Sequence, residues 1–172
     1  MTLKLATWNI NSVRLRIDLV TKLLEEEAPD VLCLQETKCP DDAFPEKALQ
    51  KLGYTHIAKS GQKGYHGVAT ISRLPLDDVS VRHFCGKDDC RHIKVTVKGA
   101  DIHNFYVPAG GDVPDPDENE KFAHKLGFLG EMESWFKSAK GKTTAKRILV
   151  GDLNVAPLEN DVWSHKQMLK VV

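Results

Sequence analysis

The chain has 172 residues, 41% hydrophobic and 28% charged, which is enough for one domain with a substantial core and ordinary for a soluble globular protein. Its 24 basic residues balance 24 acidic ones, so a uniformly basic nucleic-acid binder is excluded and any pull on phosphate must come from local placement. No apolar run approaches the length of a membrane span, and the chain does not open on a basic stretch followed by an apolar core; without either signal, the expected compartment is the cytoplasm and no membrane partner is expected.

In chain order, Leu3–Trp8 reads as a strand that ends at Asn9. Arg14–Ala28 reads as a helix with Ile17, Val20, Leu23 and Leu24 on one face, stopped by Pro29. Val31–Gln35 is a buried strand, and Phe44–Leu52, with Pro45 in its first turn and Gly53 after its end, is a short helix. Five strands follow between Gly, Asp and Pro signals: Tyr54–Lys59, Gly67–Ser72, Val79–Phe84, His92–Val97 and Asp101–Val107. A Pro/Gly/Asp loop over 108–118 leads to a long helix, Glu120–Ser138. Arg147–Gly151 is a second buried strand, and Trp163–Val171 reads as the start of another helix.

This order, β-α-β-α, then a run of strands, then α-β-α, predicts a layered α/β domain with sheet packed on sheet and helices outside, a single domain over 1–172. The chain stops soon after its second buried strand, so that strand's neighbours on the far side are expected to be missing, and an open edge favours association. Oligomeric state is otherwise unreadable. Acidic residues gather at Asp112, Asp115, Asp117, Glu118 and Glu120, and basic ones at Lys137, Lys140, Lys142, Lys146 and Arg147; each set fits a solvated surface. The four cysteines read as free thiols of a reducing compartment. His83, Cys85, Cys90 and His92 flank a short loop where a hairpin offers two His and two Cys to zinc, but the spacing follows no familiar finger pattern, and an exposed hairpin explains them as well.

Chemistry is suggested by two acids placed where apolar strands run out, in Val31-Leu32-Cys33-Leu34-Gln35-Glu36 and in Ile148-Leu149-Val150-Gly151-Asp152-Leu153-Asn154. Both runs read as central strands buried on two faces. A carboxylate there is costly unless it sits at the strand end, over a cleft, facing a cation or a proton to be moved. Oxygen donors of this kind suit a hard divalent metal, and Glu36 suits magnesium, which takes few carboxylates and keeps waters for substrate phosphate. Asn9 and Asn11 follow the first strand and Tyr106 ends a later one, so all these groups lie at carboxyl ends, the rim where α/β sheets collect ligands. Asp152 is suited to orient or deprotonate a water, Asn154 to donate to charge on a phosphate oxygen, and Tyr106 to donate to the same anion. Each has a plainer reading: Asp-Leu-Asn after a strand is commonly a turn, and a strand-end Tyr commonly packs an edge. The Gly61-x-x-Gly64-x-x-Gly67 spacing is neither a dinucleotide fingerprint nor a P-loop and marks a tight approach into a strand. The residues by themselves reach a metal-assisted reaction at a phosphate.

The ordered motifs Thr7-Trp8-Asn9-Ile10-Asn11-Ser12-Val13-Arg14, Leu34-Gln35-Glu36-Thr37-Lys38, Gly64-Tyr65-His66-Gly67-Val68-Ala69, Tyr106-Val107-Pro108 and Gly151-Asp152-Leu153-Asn154-Val155-Ala156-Pro157 go further. Together they resemble the exodeoxyribonuclease III family of apurinic/apyrimidinic endonucleases, within the endonuclease/exonuclease/phosphatase superfamily. The resemblance implies a four-layer α/β sandwich that hydrolyses phosphodiesters of duplex DNA, at abasic sites and from 3′ ends, with Mg2+ or Mn2+. It places Asn9, Glu36, Asp152 and Asn154 at the metal, with Glu36 the more direct ligand. It places Tyr106 on the attacked phosphate, Asp152 on the water and Asn154 on the transition state. It also assigns duplex backbone contacts to Arg14, Lys38, Gly64 and Tyr65, which position the DNA without reading its sequence.

Two departures qualify these expectations. Ala109 stands after Tyr106-Val107-Pro108, where relatives often carry an amide that helps hold the phosphate. Family members also continue through a further metal-site Asp, an aromatic loop near the abasic sugar and a terminal Ser-Asp-His motif. The chain ends at Val172 without these, and His165 in Trp163-Ser164-His165-Lys166 does not match that motif. The sandwich is therefore expected to be incomplete on its C-terminal side, and the chain by itself nearly inactive and poorly stable. The competing readings are a non-catalytic DNA-binding fragment, another superfamily phosphodiesterase or phosphatase acting on phosphoinositides or phospholipids, and an idle remnant.

Overall fold

The fold is taken from a computed structural model, which describes residues 2–139 and 146–169. Lys140 and Lys142 of the basic run, and the end of the last predicted helix beyond 169, lie outside the described residues. The described residues divide into two compact units, one over 2–83, 88–106 and 146–152, the other over 84–87, 107–139 and 153–169.

The first unit holds every strand: β1 (Leu5–Asn9), β2 (Val31–Gln35), β3 (His56–Ser60), β4 (Val68–Ser72), β5 (Asp77–Val81), β6 (His92–Val97), β7 (Ala100–Tyr106) and β8 (Lys146–Asp152), with helices α1 (Ile17–Glu27) and α2 (Glu46–Gln50). One sheet has the order β1-β2-β4-β3 and the other β5-β6-β7-β8. Within them β1 and β2 are parallel, as are β7 and β8, while the remaining pairs are antiparallel. Alternation along β2 explains the layering. Leu32 and Leu34 join Val20, Leu24 and Leu49 in a core under the helices. Val31 and Cys33 point the other way, into a core shared with Ile93, Val95, Val97 and Ile102 of the second sheet. Each fully buried aliphatic side chain of these cores contributes roughly 1.5–3 kcal/mol. A mixed α/β architecture with two face-packed sheets is thus what the sequence anticipated.

Between the sheets lies a polar staple that the sequence did not announce. Asn104 of β7, fully buried, donates to the carbonyls of Leu34 and Ala69 at 3.1 and 3.0 Å and accepts from the Gln35 amide at 2.7 Å. The Gln35 amide nitrogen also lies within hydrogen-bond reach of Thr7 Oγ1 on β1, at 3.0 Å, and of the Cys33 carbonyl on its own strand, at 3.2 Å.

Several boundaries move. The helix expected from Arg14 starts at Ile17, because a turn with Arg16 N–H on the Val13 carbonyl precedes it. It ends at Ala28 in a left-handed cap whose N–H reaches the Leu24 carbonyl, ahead of Pro29. The strand expected over Val79–Phe84 runs instead over Asp77–Val81, all exposed, with a register shift between Asp77 and Ser80. The apolar run of β8 suggested burial on both faces, whereas its open edge is the one expected from missing far-side neighbours. Among the described residues it is an edge strand paired only with β7, and Leu149 is 41% exposed. A short apolar run cannot distinguish a central strand from an edge whose outer face is apolar.

In the second unit, α3 (Glu120–Ala139) matches the predicted long helix and carries Phe128, whose ring lies 4.3 Å from that of Phe84. Asn119 just before α3 folds the acidic loop back by donating to the carbonyls of Gly110 and Val113 at 2.8 and 2.7 Å. The last predicted helix is a single turn, α4 (His165–Met168). No helix among the described residues is long and apolar enough to cross a membrane.

Candidate active site

Strand register assembles the site. In the parallel β1–β2 pair Asn9 lies opposite Gln35, so Glu36 is the first residue past the strand end. In the parallel β7–β8 pair Tyr106 lies opposite Asp152. Ile102, Asn104 and Tyr106 share the face of β7 that meets the first sheet, so the residue that staples the sheets is two positions from the phenol.

The four side chains converge. The Asn9 amide nitrogen donates to Glu36 Oε1 and to Asp152 Oδ2, each at 2.8 Å. Since both partners are acceptors, the NH2 must face them, and Asn9 Oδ1 turns back to accept the Asn11 N–H at 3.1 Å. The other Glu36 oxygen pairs with Lys38 Nζ at 2.8 Å, and the same ammonium donates to Asn11 Oδ1 at 2.6 Å. The Tyr106 phenol faces the Glu36 carboxylate closely enough for each to shift the other's protonation. Burial pushes the Glu36 carboxyl up, but the bonds from Asn9, Lys38 and Tyr106 outweigh it and leave it below the usual carboxylate range. Burial, and then the Glu36 charge, push the Tyr106 phenol up to about 12, so it stays a proton donor. The arrangement brings two carboxylates to one amide, with the Lys38 ammonium on Glu36 and the Tyr106 hydroxyl at the rim. Among the described residues no group of three or more His, Cys, Asp or Glu side chains comes together.

The loops beyond the strand ends are locked to one another. Ile10, Ser12 and Val13 donate to the carbonyls of Gln35, Glu36 and Thr37; Thr37 and Lys38 donate to Gly67 and His66; Gly67 donates to Cys90. Glu36 (φ 53) and Lys38 (φ 49) are held in the left-handed region, which for a non-glycine residue costs roughly 1–2 kcal/mol. Gly67 (φ +94) is obligatory, because an added Cβ would overlap Thr37 Oγ1. That is the tight approach the glycine spacing marked.

The remaining expected site residues divide. Arg14 and Tyr65 are exposed on the surface of the first unit, as is Gly64, in the left-handed region at φ +82 with open space around it. Lys38 is engaged by Glu36 and Asn11, so it belongs to the carboxylate pocket as well as to the rim. Asn154 lies in the second unit at φ 48, with its amide donating to the Val107 carbonyl at 2.8 Å. There its own carbonyl and that of Ala109 accept from the buried Lys125 ammonium, at 2.7 and 3.1 Å. Sequence reasoning did not single out Lys125, Arg91 or His66. A Lys within the predicted helix and an Arg before a predicted strand carry no local sign that they will be buried.

Comparison with known proteins places the chain. The Endonuclease/Exonuclease/phosphatase family model matches residues 6–170. The chain belongs to this family. Exodeoxyribonuclease III of Haemophilus influenzae is 28% identical over 93% of the chain. An AP endonuclease from Archaeoglobus fulgidus superposes on 99% of the chain with a TM-score of 0.88 and 35% identity. The 3′ phosphatase NExo from Neisseria, solved with a product DNA hairpin, covers 97% with a TM-score of 0.85 and 34% identity. The chain spans 60% of the Haemophilus relative and 64% and 63% of the two solved chains. These family neighbours confirm the endonuclease/exonuclease/phosphatase fold inferred from the motifs.

Proposed function

We propose that the chain acts in DNA repair on duplex DNA, as the metal- and phosphate-binding part of a phosphodiesterase that cuts at abasic sites and removes nucleotides or phosphate from 3′ ends. The observation that carries this reading is the Asn9 amide shared by Glu36 and Asp152 at 2.8 Å each, at the ends of strands that also present Tyr106. The names of the relatives support the substrate class: an exodeoxyribonuclease, an AP endonuclease, and a 3′ phosphatase solved with DNA.

The donor set fits Mg2+ or Mn2+. The carboxylate oxygens of Glu36 and Asp152, brought to one amide, are hard ligands of the kind such an ion takes. Glu36 and Asp152 would hold the ion, with Asn9 keeping them apart. When bound, the ion supplies charge neutralisation at the phosphoryl oxygens. The chain's own groups do the rest. Tyr106, protonated at neutral pH, donates its hydrogen bond to a phosphate oxygen, exchanging Glu36 for the substrate. Asp152 accepts the proton of the attacking water as the phosphorus–oxygen bond to the leaving group breaks, and the departing oxygen takes a proton from solvent. Arg14, Lys38, Gly64 and Tyr65 hold the duplex backbone.

The test is incision of a duplex carrying one stable abasic analogue, with Mg2+ and then with EDTA, by the chain and its Glu36→Ala and Asp152→Asn variants. Metal-dependent nicking that falls at least ~10³-fold in both variants supports the reading. Nicking that survives EDTA or both variants refutes it. A second reading, duplex binding without turnover, is favoured by the presence of only two converging carboxylates among the described residues. Its signature is duplex affinity that weakens linearly as log[salt] rises, with no product.

A further inference from the structure

Outside the carboxylate pocket, Arg91 sits just before β6 and is only 8% exposed. Its guanidinium uses its fork in three directions. Nε donates to Asp89 Oδ2 at 2.6 Å, NH1 to the Tyr106 carbonyl at 3.2 Å, and NH2 to His66 Nε2 at 2.9 Å. The carbonyl of Arg91 accepts the Tyr106 N–H at 2.8 Å, and the guanidinium carbon lies 4.7 Å from the centre of the Tyr106 ring. One side chain thus grips Tyr106 by its backbone and by its aromatic face. Only Asp89 balances the buried charge, and such a pair is a weak source of stability; its geometry is the more informative property.

The His66 contact fixes a tautomer. A guanidinium only donates, so Nε2 accepts, and the neutral ring carries its proton on Nδ1. The Gln62 side chain, 2.9 Å from Nδ1, must then turn its amide oxygen to the ring, since an amide's two ends are told apart by their partners. His66 follows Gly64 and Tyr65 directly, its ring lies 6.2 Å from those of both Tyr65 and Tyr106, and its carbonyl accepts the Lys38 N–H. An unbroken run of contacts therefore joins the exposed Tyr65 loop, His66, Arg91 and Tyr106.

We propose that Arg91 is a positioning residue that sets the Tyr106 ring against Glu36 and, through His66, couples its placement to occupancy of the Gly64-Tyr65 loop by duplex DNA. This rests on the proposed roles of Tyr106 and of that loop. Lysine keeps the charge but neither the fork nor the stacking plane. His66→Ala removes only the link to the loop, and His66→Gln restores an acceptor for Arg91.

The test uses the full chain labelled with 3-fluorotyrosine, whose three tyrosines give lines for Tyr54, Tyr65 and Tyr106 that single Tyr→Phe variants assign. In the free protein, Arg91→Lys is expected to displace the Tyr106 line and leave that of Tyr54, which reports folding. Added duplex is expected to move the Tyr65 and Tyr106 lines together. In His66→Ala the Tyr65 line still moves and the Tyr106 line does not, duplex affinity falls about fivefold or more, and His66→Gln recovers both. A Tyr106 line in Arg91→Lys that superimposes on the unsubstituted one overturns the positioning role; a His66→Ala variant that keeps the joint shift overturns the coupling. If Arg91→Lys loses the Tyr54 line, Asp89→Asn, which loosens the same guanidinium, gives the same comparison. Failure of duplex to move Tyr65 in the unsubstituted chain refutes the parent reading and the coupling together, while the free-protein comparison still decides whether Arg91 places Tyr106.

Discussion

Replacing Asn104 by Ala removes the polar staple between the sheets. The side chain is fully buried, and its loss strips a donor from the Leu34 and Ala69 carbonyls and an acceptor from the Gln35 amide, bonds of 3.1, 3.0 and 2.7 Å. A buried polar group left without its partner costs ~1–3 kcal/mol, and the cavity of the missing carboxamide adds to this. Strand pairing still serves part of the two carbonyls' need, so the total works out at about 3–5 kcal/mol. Set against the ~5–15 kcal/mol of a typical domain, that is a large fraction. The assay is equilibrium urea unfolding followed by circular dichroism, where the midpoint should fall with the slope unchanged. Tyr106 stands two residues along the same face, so the variant should also displace the Tyr106 fluorine line. A variant within about 1 kcal/mol of the unsubstituted chain would refute the view that this amide pair fixes how the sheets meet.

Gly151, at φ +136, brings its backbone against Phe105 one residue before Asp152, and an added Cβ would overlap the Phe105 carbonyl. Gly151→Ala should therefore lower the urea midpoint more than Gly53→Ala, whose site is open, and equal losses would contradict the close-approach argument. His92 and His103 form a buried pair 3.1 Å apart on β6 and β7. Burial, then the neighbouring His103 and Arg82, lower His92 to about 3; burial, with Lys94 and Arg147 added against an opposing Asp101, lowers His103 to about 4. Both folded values lie below the unfolded one, so the stabilisation is complete above ~pH 6.5 and is lost as pH falls toward those values. Between pH 7 and 5 each histidine should cost about 2 kcal/mol of unfolding free energy, and His92→Gln should flatten the profile. An unchanged profile in that variant would show that the pair does not carry the acid sensitivity.

What was legible in the sequence follows from what local pattern encodes. Glu36 and Asp152 were found because an acid at the end of an apolar run is costly without a purpose, and strand register then brought them to one amide. Alternation along β2 likewise gave the two-sided burial that stacks helices, sheet and sheet. For β8 the open edge was expected, but Ile148, Leu149 and Val150 describe an apolar strand without saying how fully its faces are covered. The Asn9 NH2 faces the carboxylates and its oxygen faces the Asn11 N–H, an orientation no sequence pattern fixes. Arg91 and Asn104 were missed because, Asp89 aside, their partners lie at separations of 15–25 and 35–70 residues. Only the tertiary fold brings such groups together.

The central claim is that Glu36 and Asp152, spaced by Asn9, bind a divalent metal. Its most direct test is Mn2+ titration of the chain followed by electron paramagnetic resonance, beside Glu36→Ala, Asp152→Asn and Asn9→Ala. The account predicts one site whose affinity falls at least ~100-fold in Glu36→Ala and markedly in Asp152→Asn. Asn9→Ala should stay within the ~10–100-fold loss typical of an outer partner. A Glu36→Ala chain that binds Mn2+ as tightly as the unsubstituted one would contradict the account.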